Sequence, residues 1–135
     1  MQSLEPAAAA EIQAVTDLLH ETMPDATVLC VQRNRHDLLY RQYAAKRDAT
    51  DAEAGFKHER WLWNGNDSIE QNLSKGFDVR YASQEFNKYG VGVYFAADAR
   101  LSAYFERSTR DEHGEKKLIL ARVALGNMEE RPPVQ

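Results

Sequence analysis

Ile12, Val15, Leu18 and Leu19 recur at spacings of three and four behind a run of alanines, which predicts an amphipathic helix with Pro6 in its first turn and Met23 near its end. Residues 26–31, Ala-Thr-Val-Leu-Cys-Val, form a short apolar and β-branched run of strand length, closed by the polar Gln32, Arg33 and Asn34. Helical spacing returns over 37–46, with Leu39 and Tyr43 on one stripe. The acidic, small residues 48–55 then read as a solvated connection. A strand over 60–63 stops at Asn64-Gly65-Asn66, and Asp67 caps a helix with Glu70 completing a capping box. Ile69 and Leu73 form that helix's buried side, and Gly76 lies just past its end. Residues 78–88 lack a clean period and read as a long loop, of the kind that often serves as a lid. A buried strand over 91–96 follows, then a helix capped by Asp98 and carrying Leu101, Ala103, Tyr104 and Phe105, and a charged turn over 110–114. Residues 118–125 carry the strongest strand signal, stopped by Gly126 and Asn127. Strands and helices interleave without repeated βαβ units, so the pattern predicts an α+β fold.

Composition narrows the classes. A chain of 135 residues with no polar spacer is long enough to bury about two thirds of its unfolded surface in one core. Seventeen basic against 21 acidic residues leave a net charge of −4, which argues against nucleic acid as the main partner. Cys30 is the single cysteine and the four histidines are scattered, so neither a disulfide framework nor a metal site is expected. The first ten residues carry Glu5 and no basic flank before their alanines, unlike a secretory signal, and no stretch approaches a membrane span. An intracellular location, cytoplasmic or nuclear, is the expectation.

The candidate chemistry is concentrated between Trp61 and Phe105. Here Trp61-Leu62-Trp63 ends in Asn64-Gly65-Asn66, Gly90-Val91-Gly92 leads into Val93-Tyr94-Phe95-Ala96, and Leu101-Ser102-Ala103-Tyr104-Phe105 follows. Rings to stack on, a glycine backbone open to close approach and a hydroxyl to fix orientation are what a flat, polar-edged ligand needs. The glycines of 90–92 precede a strand instead of opening a helix, and Phe95 occupies the third position, so a dinucleotide-binding βαβ turn is excluded.

Taken in order, these motifs resemble the poly(ADP-ribose) polymerase-like ADP-ribosyltransferases. Leu62-Trp63-Asn64-Gly65-Asn66 is similar to that family's strand ending in His-Gly-Thr, Gly92-Val93-Tyr94-Phe95-Ala96 to its Gly-x-Tyr-Phe-Ala strand, and Ser102 with Phe105 to the serine and aromatic of the following helix. Supporting likenesses are Val31 to Asn34 with Leu38, Leu39 and Tyr43, and Leu120 to Gly126. The resemblance covers about residues 27–133 and is closest to the mono-ADP-ribosylating branch, through Arg131-Pro132-Pro133.

It implies a split, mostly antiparallel sheet with flanking helices over 26–135, preceded by an N-terminal helical segment over 1–25. It further implies NAD as substrate, no metal, and a protein acceptor. The nicotinamide would lie between the Tyr94 and Phe105 rings, its carboxamide bonded to the Gly65 backbone and the Ser102 hydroxyl. Asn64 stands where the family's histidine holds the adenosine ribose, Asn66 where its threonine stands, and Phe105 where a tyrosine is usual. No residue before Gln135 matches the carboxylate of the family's third motif. Two readings follow: a transferase of single ADP-ribose units, or an inactive module that binds NAD or ADP-ribose or acts as a scaffold. A piece of a longer catalytic domain is the third expectation.

Overall fold

The computed structural model describes residues 2–65, 69–77, 92–105 and 114–130. In chain order these form β1 (Gln2–Pro6), α1 (Ala9–Thr22), β2 (Gln32–His36), α2 (Asp37–Ala54), β3 (Glu59–Asn64), α3 (Ile69–Lys75), α4 (Ala99–Phe105) and β4 (Ile119–Ala124). The expected α+β arrangement is present, with two antiparallel pairs, β1 with β2 and β3 with β4. The cap at Asp67, the loop over 78–88, Val91 and residues 110–113 of the charged turn lie outside the described residues.

β3 organises the half of the molecule that carries the candidate site. It pairs with β4 from Glu59 opposite Ala124 to Asn64 opposite Ile119. On its other side Trp63 donates its N–H to Ala96 O at 2.8 Å and accepts from Ala96 N at 2.9 Å. Both main-chain groups of Trp63 thus point away from β4, which makes its pairing with Leu120 the non-hydrogen-bonded kind. Leu62, Trp63 and Asn64 are consecutive and all buried, so this end of the strand is covered on both faces. α4 packs on β3, α1 on α4, and α2 on β4.

Local chemistry explains the helix ends. Asp98 Oδ1 accepts from Arg100 N at 2.9 Å, the N-cap bond expected of it. Gly76, at φ 87°, donates to Asn72 O at 3.0 Å and closes α3. The C-terminal carbonyls of α3 are taken by β2: Asn34 Nδ2 donates to Leu73 O and His36 Nε2 to Ser74 O, each at 2.9 Å. His36 also accepts at Nδ1 from Leu39 N, so one ring caps the start of α2 and the end of α3.

Several boundaries differ from the sequence reading. Pro6 ends a strand, where its missing N–H is harmless at an edge, and the first helix begins at Ala9. The second strand falls on the polar residues 32–36 and not on the apolar 26–31, because its partner is the equally polar β1 and neither needs a buried face. α2 runs on through the acidic residues to Ala54 and is closed by Gly55 at φ 84°. Among 92–96, only Ala96 joins a ladder. In α3 the buried pair is Ile69 and Asn72, with Leu73 half-buried.

Candidate functional site

The end of β3 and the segment before α4 are joined by a side chain. Asn64, only 3% exposed, donates from Nδ2 to the main-chain oxygen of Tyr94 at 2.9 Å. With the Trp63–Ala96 rung, that bond fixes residues 94–96 against β3 from two adjacent strand positions. Gly65 follows at the strand's end, half-buried. Tyr94 is half-buried as well, and one edge of its ring is near Gly92: a methyl group placed on Gly92 would stand 3.8 Å from Tyr94 Cε1. Phe95 packs edge-on against Phe77, ring centres 4.9 Å apart and planes at 72°.

Ser102 comes from α4. Ala99, Ser102 and Ala103 are buried while Arg100 and Leu101 are exposed, which is the i, i+3, i+4 face of a short helix. Small side chains on that face let the helix approach β3 closely. Ser102 is therefore a hydroxyl held inside, at 4% exposure, on the helix that packs against the strand carrying Asn64. Asp98 at the helix start is held below the usual carboxylate range by the Arg100 guanidinium and then by the Arg100 N–H.

The structure thus brings Asn64 and Tyr94 into contact and places Gly65 and Ser102 on the strand end and the helix that adjoin them. Asn66 lies outside the described residues, as does the side chain of Phe105, whose backbone ends α4. Asn64, Gly65 and Ser102 carry no ionisable side chain, and Tyr94 contributes an aromatic ring. These residues supply a ring face, a hydroxyl and a glycine main chain, the kinds of group that bind a neutral planar amide. Among the described residues no three His, Cys, Asp or Glu side chains converge on a point, and no helix is long and apolar enough to cross a membrane.

Two residues near this site carry no sequence signal. Thr22, the last residue of α1, accepts from Ala99 N at 3.0 Å across 77 positions of chain. Lys116 Nζ donates to Ala103 O at 2.7 Å. Neither has a motif around it, and only the folded chain reveals what each one touches.

Comparison with known proteins gives the family. The family model for the poly(ADP-ribose) polymerase catalytic domain matches residues 9–132. The chain is similar to protein mono-ADP-ribosyltransferase PARP14 of Homo sapiens, 30% identical over 119 residues, covering 86% of this chain and 7% of that protein. It is similar to protein mono-ADP-ribosyltransferase PARP12 of Homo sapiens, 30% identical over 120 residues, covering 86% of this chain and 17% of the relative. It is also similar to a probable poly(ADP-ribose) polymerase of Dictyostelium discoideum, 29% identical over 130 residues, covering 90% of this chain and 37% of the relative. The chain spans well under two thirds of the length of each of these relatives. With its match extending over nearly all of its residues, the chain belongs to the poly(ADP-ribose) polymerase catalytic domain family.

Proposed function

We propose that this chain binds NAD and transfers a single ADP-ribose unit to a protein side chain, releasing nicotinamide. The observation that carries the reading is the Asn64 to Tyr94 bond, which unites two motif segments 30 residues apart beside the helix bearing the buried Ser102. Nicotinamide stacks on Tyr94, with Phe105 as the facing ring, and its carboxamide bonds to the Gly65 main chain and the Ser102 hydroxyl. Asn64 and Asn66 border the adenosine ribose. As the bond between nicotinamide and ribose breaks, positive charge develops on the sugar, and the acceptor side chain attacks the same carbon. The preference for a single unit follows the names of the two human relatives. The setting is intracellular, cytoplasmic or nuclear.

Incubation with NAD labelled in the adenosine part tests this directly. Label should appear on protein and be lost in Tyr94→Ala; no label under any condition would leave only binding to consider. Asn64→His should tighten NAD binding, and unchanged affinity would remove residue 64 from the ribose.

A second reading has an observation in its favour. Asn64 Nδ2 already donates to Tyr94 O inside the protein, at 3% exposure, which leaves the side chain less able to serve a ribose hydroxyl. On this reading the chain is a module that holds NAD or ADP-ribose without chemistry. Calorimetry separates the two: benzamide binding without label transfer is its signature.

A further inference from the structure

We infer that Thr22 and Lys116 are positioning residues that set where Ser102 sits, by holding the two ends of α4. This inference deepens the nicotinamide-site reading and rests on it. α4 has seven residues, too few to be stable as an isolated helix, so its place depends on what grips it from outside. At its start, Asp98 serves two of the amides that lack intrahelical partners, through Oδ1 to Arg100 N and through its carbonyl to Leu101 N. The first amide, that of the fully buried Ala99, is served by the Thr22 hydroxyl at 3.0 Å. At the other end Lys116 gives its ammonium to Ala103 O at 2.7 Å, a cation at the pole of the helix that favours one. Ser102 lies between these two grips, beside Ala103 and three residues after Ala99 on the same buried face.

The two grips come from opposite ends of the chain, one from the last residue of α1 and one from the approach to β4. Removing the Thr22 hydroxyl leaves the Ala99 N–H buried and unmatched, and the helix relieves it only by shifting or fraying at its first turn. Either response moves the Ser102 oxygen relative to the strand end at Gly65. The effect on a ligand amide therefore passes through Ser102 and vanishes when that oxygen is absent.

A double-mutant cycle read by benzamide calorimetry tests this. Thr22→Val should weaken binding about five- to tenfold, as the loss of one buried hydrogen bond does, while Thr22→Ser, which keeps the oxygen, restores it. Lys116→Met, at an exposed position that leaves folding intact, should weaken binding about two- to threefold. In a Ser102→Ala background both losses should fall away, because coupled residues are not additive. Equal losses with and without Ser102 would make the two residues merely structural and overturn the inference. Wild-type protein that ignores benzamide would overturn the nicotinamide-site reading and this inference with it. Wild-type binding that is untouched by Thr22→Val and Lys116→Met overturns this inference alone. Amide exchange adds a readout independent of ligand: the Ala99 N–H should exchange faster in Thr22→Val, and unchanged protection counts against the Thr22 grip.

Discussion

Two buried carboxamides near the site differ in what they meet. Asn64 Nδ2 has Tyr94 O at 2.9 Å, whereas Asn72, 5% exposed in α3, has an Nδ2 with no partner among the described residues. Burying an unmatched polar group costs about 1–3 kcal/mol, so the two positions respond to leucine in opposite directions. Asn72→Leu should raise the urea midpoint of unfolding at an unchanged slope, and a lowered midpoint would show that the amide finds a partner in solution. Asn64→Leu should destabilise by about 1–3 kcal/mol through loss of the buried bond to Tyr94 O, measured in the same titration. From sequence, Ile69 and Leu73 read as the inner side of α3, because both are apolar at a helical spacing. That Asn72 takes the deeper place depends on which way the helix is turned toward β2, where Asn34 and His36 hold its last carbonyls. No local pattern encodes that rotation.

At the level of the elements, α2 shows how composition misleads. Its final turns, Asp48 to Ala54, contain three alanines that favour helix strongly, and the acids between them do not stop it. Asp51 then has two tasks in the turn that follows: its carbonyl accepts from Gly55 N, and its carboxylate from His58 N at 3.3 Å. The helix is also fitted closely to the end of β4. A Cβ on Gly126, at φ 59°, would come within 2.8 Å of Thr50 Cγ2 on α2. Gly126→Ala should therefore cost more than the roughly 1 kcal/mol of backbone strain alone. Adding Thr50→Ser, which deletes the offending methyl group, should recover the steric part and leave the strain; thermal unfolding of wild type and both variants reads the difference. The glycines at 65, 76 and 126 were legible as element ends because each follows a periodic run. β1 was not, since five mixed residues become a strand only by meeting β2, some thirty positions on.

For the molecule as a whole, Glu59 is a charged link between α2 and the β3–β4 pair. Its carboxylate accepts from the Tyr43 hydroxyl, from Arg47 Nη1 at 3.5 Å and from Arg122 Nη2 at 3.2 Å. The Arg122 guanidinium lies 5.7 Å from the ring centres of both Tyr40 and Trp61, extending the cluster across the sheet's outer side. The Tyr43 hydroxyl first, and Arg122 after it, hold the Glu59 carboxyl below its ordinary value of 4.5. A carboxyl depressed in the folded state stabilises that state above its unfolded pKa, and the contribution fades as pH falls through the folded value. Wild-type stability should accordingly decline below about pH 4.5, and Glu59→Gln should be less stable near neutrality with a flatter acid limb. Acid titrations of both proteins at constant ionic strength measure this, and parallel curves would discharge Glu59 from the role.

Because Trp63 and Asn64 are neighbours buried on opposite sides of one strand, β3 has a single workable alignment with β4. Sliding it by one position would exchange an indole for a carboxamide on each side and break the Asn64 bond to Tyr94 O. The two residues thus also act as a proofreading pair for strand alignment, because only the native register lets Asn64 reach Tyr94 O while Trp63 pairs with Ala96.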